Sequence, residues 1–390
     1  MNDCFRTGVV ALFCFMALGI ARAADLATIG PCVALADAGP CLVAQTQPWG
    51  GRMPAAGASA LVDADKIVIS WVGEAKSVRI TGEISQLSDM PVVAPGVWQL
   101  VIQYRQAAAL RLGLSMMVTT AEGKPSMARV EVAGPAAAPP GPSMGAPQHV
   151  IAFEPEDLSA RVWLPPGYRQ GERYPIVYEG DGGSHGPGSL LSEQIRKGLL
   201  PPVIVVGVDD CPAKNPRPMC RAENYLDRPG LPMASPEHYA AHEQFLITKV
   251  IPRIESQFGK PRDVSMRAIA GASNSAVWAA SMALRHPDLF GRAIVMSPGM
   301  PPGTPVGDKP AAHFVVSAGE LERGFAVAGR CIASAVLKQG GKASFVTYPA
   351  GHSRWMWHAQ FVAAVTDWLA PQGAQPAFAP LSDAGCERYR

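Results

Sequence analysis

The sequence is poor in charge. Only 17% of its 390 residues are charged, and 34 Lys and Arg nearly balance 32 Asp and Glu, for a formal net charge of +2. A protein that holds phosphate backbones needs a clustered positive excess, so a general nucleic-acid binder is excluded. The spacing of metal ligands is missing too. No Cys-x-x-Cys pair or close Cys/His cluster occurs, so neither a metal nor any other cofactor is expected. Beyond the amino-terminal segment no run of 18 apolar residues is unbroken, so no membrane-spanning helix or membrane anchor is expected in the mature chain.

The amino-terminal segment has a different character. Arg6 precedes the apolar run Val9 to Ile20, and Ala21-Arg22-Ala23 offers small residues at the cleavage positions. Residues 1–23 therefore read as an export signal cut after Ala23. No lipoprotein-type small residue precedes Cys14. Export sends the mature chain to the periplasm or the medium, where thiols oxidise. Cys4 and Cys14 leave with the signal, and six cysteines remain. Loop closure favours the local pairs Cys32 with Cys41 and Cys211 with Cys220, leaving Cys331 to anchor the carboxyl-terminal tail through Cys386.

What the sequence does contain is a pattern of chemistry. The apolar run Arg267 to Ala270 meets Gly271-Ala272-Ser273-Asn274-Ser275-Ala276 and continues into a helical segment from Val277 to Arg285. A serine at a sharp strand-to-helix turn is lifted above its sheet, with backbone N–H groups and a helix N-terminus aimed at whatever its hydroxyl attacks. The second glycine usual in such an elbow is replaced here by Ser275. Downstream, Ala312 to Ala318 reads as a strand emptying into Gly319-Glu320-Leu321-Glu322, followed by a helix from Phe325 to Gln339 that Gly340-Gly341 stops. A further strand, Ala343 to Tyr348, ends in Pro349-Ala350-Gly351-His352-Ser353. Each candidate lies at the carboxyl end of a strand, where open α/β sheets place their catalytic groups.

Serine, acid and histidine in this order suit nucleophilic catalysis. A hydroxyl is a poor nucleophile until an imidazole takes its proton, and the imidazole needs a carboxylate to fix its tautomer. Ser273 and His352 fill two roles, and both Glu320 and Glu322 are available for the third.

With 48% hydrophobic residues the chain can bury a large core and is expected to form two domains. Residues 24–57 are rich in Ala, Gly and Pro and read as irregular. Residues 58–133 carry short alternating runs, among them Ile67 to Trp71, Ser77 to Thr81, Trp98 to Ile102 and Leu110 to Leu114, which suit a small antiparallel sandwich. Residues 134–148, with Pro139-Pro140 and Pro142, form a linker. From 149 to 370 near-continuous apolar strands such as Pro202 to Val208 alternate with helices, as expected for a sheet covered on both faces. Ser235-Pro236-Glu237 carries the start signals of a long helix reaching Phe258. Residues 371–390 read as a tail too polar to form a packed element.

Several stretches in order resemble the esterase D and enterochelin-esterase-like branch of the α/β-hydrolases, which includes feruloyl and acetyl esterases and relatives of the mycolyltransferases. They are Val162 to Tyr168, Tyr174 to Gly183, Val203 to Asp209, Arg221 with Glu223 and Tyr225, Gly271 to Ala276, His286 to Gly291, Ser297-Pro298-Gly299, and Gly351-His352 with Trp357. The region around Trp71 to Gly82 and Gly96-Val97-Trp98 is similar to the Ig-like amino-terminal domain of enterochelin esterases. The resemblance implies an α/β-hydrolase sheet flanked by helices behind a small β-sandwich, with Ser273 as nucleophile and His352 as general base. Family spacing, three residues beyond Gly319, implies Glu322 as the acid. The oxyanion hole would use the N–H groups of Asn274 and Gly183. Two features depart from the family, Ser275 and the pair Glu179-Gly180 where apolar residues usually stand.

The activity implied is hydrolysis of a carboxylic ester through an acyl-enzyme. The substrate would be a small-molecule ester, as in siderophore esterases, or a polysaccharide-linked feruloyl or acetyl ester. An acyltransferase of the same fold and a binding protein with a decayed hydrolase domain are the other readings. An anionic siderophore would want cations, for which Arg221, Lys214, Arg217 and Arg354 are candidates. A feruloyl-type substrate would want an aromatic slot, for which Tyr225, Trp355 and Trp357 are candidates.

Overall fold

The computed structural model describes residues 32, 40–84, 88–137, 145–184, 188–214, 216–370 and 381–389. The expected signal lies outside them, as do most of residues 24–39 and the tail residues 371–380.

The amino-terminal part is built from short antiparallel strands: β1 (Cys41–Leu42), β2 (Gly57–Asp63), β3 (Lys66–Val72), β4 (Ser77–Gly82), β5 (Ser88–Asp89), β6 (Val92–Ala94), β7 (Val97–Gln103), β8 (Arg111–Thr119) and β9 (Pro125–Ala133). They form two sheets, β1-β7-β3-β2 with β6 added on β7, and β5-β4-β8-β9. Alternation puts Ile67, Ile69, Val78, Ile80, Leu112, Leu114 and Met116 into one shared core between them. Strands β2 and β9 are not evident as separate apolar runs because half of their residues face solvent and Pro125 opens the second. The segment before β2 is less irregular than its composition implies, since Cys41 and Leu42 pair with Gln103 and Ile102.

The second part is one eight-stranded sheet ordered β10-β11-β13-β12-β14-β15-β16-β17. The strands are β10 (His149–Phe153), β11 (Leu158–Trp163), β12 (Ile176–Glu179), β13 (Ile204–Val208), β14 (Arg267–Ala272), β15 (Arg292–Met296), β16 (His313–Gly319) and β17 (Lys342–Tyr348). β10, β11 and β13 pair antiparallel, and all the other pairings are parallel. Both faces are buried, as the continuous apolar strands require. Ile176 and Tyr178 join the core on one face, and Val177 between them joins the core on the other. Helices α1 (Gly188–Arg196), α2 (Cys220–Tyr225), α3 (Pro236–Phe245), α4 (Ile251–Phe258), α5 (Asn274–Arg285), α6 (Arg323–Lys338) and α7 (Arg354–Leu369) complete the layers. Residues of α3 to α6 pack on the first face, and those of α1 and α7 on the second.

Local chemistry explains the helix ends. Ser235 caps α3 by accepting from the His238 N–H, with Pro236 in the first turn. The helix expected to run unbroken to Phe258 is interrupted by a π-turn over Leu246–Val250. Pro252 follows directly and has no N–H for an intrahelical bond, so the wider turn accommodates it.

The described disulfides join the two local pairs favoured by loop closure and the remaining pair expected to anchor the tail, with Cα separations of 4.8 Å for Cys32–Cys41, 5.8 Å for Cys211–Cys220 and 5.6 Å for Cys331–Cys386. The last pins the tail along α6, where Ser334 and Lys338 bind Asp383. The tail also forms a turn over Cys386–Tyr389, which its composition did not suggest. Among the described residues no helix is long and apolar enough to cross a membrane.

Candidate active site

Ser273 sits between β14 and α5 with φ 61° and ψ −122°, a conformation that non-glycine residues rarely adopt. Two features hold it there. The Ser273 N–H donates to the Met296 carbonyl at 2.9 Å. Gly271 lets the strand lie against the helix, since a Cβ there would come within 2.1 Å of the Ser275 carbonyl oxygen. The turn leaves Asn274 at the start of α5, where backbone N–H groups have no intrahelical acceptor.

His352 lies beyond β17. Its Nε2 is 3.2 Å from Ser273 Oγ, and its Nδ1 is 2.5 Å from Glu322 Oε2. Glu322 is fully buried at the N-terminus of α6. Its other oxygen accepts from the Ser297 hydroxyl and from the Gly319 N–H, both at 2.5 Å. Ser297, itself at φ 51°, also accepts from the Trp357 indole at 2.8 Å. The imidazole is flanked by Phe325 at 4.2 Å and meets Trp357 edge-on at 4.7 Å.

Of the two glutamates, Glu322 therefore faces His352 and Glu320 does not. Glu320 accepts from the Tyr104 hydroxyl at 2.7 Å and from the Gln106 amide at 3.2 Å, so it faces the sandwich. The sandwich also seats the histidine loop. The His352 N–H donates to the Glu83 carbonyl at 2.5 Å, and Leu321 inserts into the sandwich core. Burial pushes the Glu83 carboxyl above its ordinary range, and a Gly113 backbone hydrogen bond, the Ser353 hydroxyl and the charge of His352 offset part of that. Neither contact has a signal in sequence, because each joins segments far apart along the chain.

The loop after β12 faces the elbow. The Gly183 N–H, expected to be free for an oxyanion, donates to the Gly180 carbonyl at 3.1 Å. The tight turn Asp181–Gly183 consumes it. Within 180–184, the amides of Gly180, Asp181, Gly183 and Ser184 all have protein acceptors, whereas none is found for Gly182 among the described residues.

The expected substrate contacts are placed differently. Tyr225 is fully buried, and its hydroxyl accepts from the Asp181 N–H at 2.7 Å, so it has no face open to a ligand. Burial first, and the nearby Asp181 second, raise its pKa well above the ordinary tyrosine value. Trp357 is 8% exposed and supports His352 from the side. Arg221 makes two bonds to Asp181, at 2.6 and 2.9 Å. Burial works against its charge, but Asp181 outweighs that and holds the guanidinium above its usual value. Lys214 pairs with Asp157, and Arg217 with Glu223. Trp355, by contrast, is 43% exposed one turn beyond the histidine. Among the described residues no cluster of three or more His, Cys, Asp or Glu could hold a metal ion.

Residues 154–368 match the Esterase family model, described as "Putative esterase". No curated protein matches the chain. Among solved structures the fold is similar to the ferric enterobactin esterase from Salmonella typhimurium, at 12% identity over 85% of this chain and 96% of that one, with a TM-score of 0.56. It is similar as well to the enterobactin esterase from Shigella flexneri, solved in the presence of enterobactin, at 13% identity over 85% and 96% of the two chains and a TM-score of 0.53. At such identities the likeness is one of fold, and it extends over the sandwich as well as the hydrolase sheet. The family match spans more than half of the sequence, and so the chain belongs to the esterase family and is a hydrolase of ester bonds.

Proposed function

We propose that the chain is an exported serine esterase working through Ser273, His352 and Glu322. The observation that carries this reading is the continuous line from Ser273 Oγ to His352 Nε2, and from His352 Nδ1 to the buried Glu322. Glu322 keeps the proton of the neutral imidazole on Nδ1, which leaves Nε2 to take the serine proton as Oγ attacks the ester carbonyl. Its second oxygen, tied to Ser297 and Gly319, cannot swing away. The oxyanion then formed is received by the Asn274 N–H, with the Gly182 N–H as second donor, since the Gly183 N–H is bonded to the Gly180 carbonyl. The imidazolium gives its proton to the leaving alcohol, and the same histidine activates water to release the acid and restore Ser273.

The substrate we favour is a siderophore-type ester of a catechol acid. Its support is that the similar enterobactin esterases share both the sandwich and the hydrolase sheet, over 85% of this chain. The site residues themselves do not set this choice, since Arg221 and Tyr225 are spent on the loop. Three disulfides agree with the export read from residues 1–23. The test is a comparison of kcat/KM on a catecholate trilactone, a feruloyl arabinose ester and p-nitrophenyl butyrate. The trilactone is expected to lead by at least about tenfold, about 1.4 kcal/mol of transition-state discrimination. Preference for the feruloyl ester would move the assignment to carbohydrate esters.

A further inference from the structure

Two departures from the family pattern, Ser275 at the elbow and Gly180 before the loop aspartate, meet each other in space. A Cβ on Gly180 would stand 2.7 Å from the Ser275 Cβ, so a serine at the elbow fits only because the opposing residue is a glycine. Ser275 is fully buried, and its hydroxyl lies 2.8 Å from Asp181 Oδ2 and 2.8 Å from both the N and the O of Ala272. A glycine at 275 would make none of these contacts.

Asp181 is held on every polar edge. Its carboxylate takes the Ser275 hydroxyl and both Arg221 bonds, and its N–H goes to the Tyr225 hydroxyl. It needs such holding, because its φ of 56° is costly for a residue with a side chain. The placement is specific. Ser275 follows Asn274 in the first turn of α5, and Asp181 opens the turn that contains Gly182 and Gly183, each just beyond the carboxyl end of one of the adjacent parallel strands β14 and β12. Two oxyanion donors on different strands stabilise a tetrahedral intermediate only if their separation is fixed to a fraction of an ångström.

We propose that the Ser275–Asp181–Arg221 chain is a positioning device that locks the loop after β12 to the nucleophile elbow and so sets the oxyanion hole, Arg221 serving this clamp rather than the substrate. The inference rests on the proposed serine mechanism. It assigns Ser275 and Asp181 as positioning residues that act on backbone donors without touching the ester.

The test measures kcat and KM on p-nitrophenyl butyrate for Ser275→Ala, Asp181→Asn and Arg221→Ala, normalised to sites titrated with a fluorophosphonate. Affinity for a trifluoromethyl ketone, whose adduct carries the oxyanion, is measured alongside. Each variant is expected to lose kcat by about tenfold or more, with KM within about twofold and ketone affinity falling in step with kcat/KM. The double variant Ser275→Ala/Asp181→Asn is expected to lose no more than the worse single one. Guanidinium at millimolar concentration is expected to restore part of the Arg221→Ala loss, and this arm remains decisive if Asp181→Asn does not fold. Wild-type kcat per titrated site in Ser275→Ala and Arg221→Ala, or lower stability with unchanged ketone affinity, would overturn the clamp. Failure of the underlying mechanism looks different: the wild-type protein itself would not be titrated by the fluorophosphonate.

Discussion

The two glutamates after β16 show how much an environment decides at the scale of a residue. Glu320 and Glu322 differ by two positions, yet one binds Tyr104 in the sandwich and the other binds His352 inside the hydrolase part. A neutral amide at 322 neither selects the productive tautomer nor stabilises imidazolium, so Glu322→Gln is expected to lose about 10³-fold or more in kcat while remaining folded. Glu320→Gln should stay within a few-fold, since its contacts are to Tyr104, Gln106 and Thr347 and none is to His352. Steady-state kinetics with circular dichroism on both variants checks the ranking, and the reverse order would move the acid to 320. Ser273 and His352 are legible in the sequence because an elbow and a strand-end histidine are local patterns. Tyr225 and Gly183 are not. The burial of the tyrosine and the turning of the Gly183 amide onto Gly180 depend on neighbours from other segments, which no spacing records.

At the scale of elements, the loops carrying Glu322 and His352 rest on the sandwich. The start of α6 is reached through Leu321, whose side chain completes the sandwich core, and the loop before α7 is hung on the Glu83 carbonyl. Gly351 makes the second contact possible, since a Cβ there would lie 2.1 Å from that carbonyl oxygen. Gly351→Ala should therefore push the His352 loop off its seat. A displacement on the order of 1 Å costs about 10²-fold in turnover, so kcat is expected to fall by that order while Ser273 remains in place. Kinetics on protein shown to be folded by its thermal transition checks this, and unchanged kcat would mean that the loop is positioned from within the hydrolase sheet. Most strands of the hydrolase sheet are legible as apolar runs and much of the sandwich as alternation, whereas β2, β9, β10 and β15 are not read from the sequence. This seat was not, because it is made by a backbone carbonyl and one leucine of the opposite part.

For the whole molecule, stability should depend on pH through buried histidines. Burial first, and the charge of Arg292 second, pull the His313 pKa from 6.5 down to about 4. Burial lowers that of His242 as well. At these histidines the folded state binds fewer protons than the unfolded chain between about pH 6.5 and 4, so their contribution to stability is complete above that window and is lost as pH drops through it. The melting temperature is expected to decline by several degrees across the window, and His313→Gln should flatten the decline. An identical slope in the variant would place the acid sensitivity elsewhere. The disulfides do not titrate and should leave this slope unchanged.

The most direct measurement of the central claim, that Ser273 is an activated nucleophile, is intact-mass and peptide mapping after reaction with a fluorophosphonate, beside the Ser273→Ala variant. One adduct on the peptide containing Ser273, none in the variant, and loss of ester hydrolysis by several orders of magnitude in the variant are the expected results. An adduct on another serine, or a Ser273→Ala protein that still turns over esters at the wild-type rate, would contradict the account.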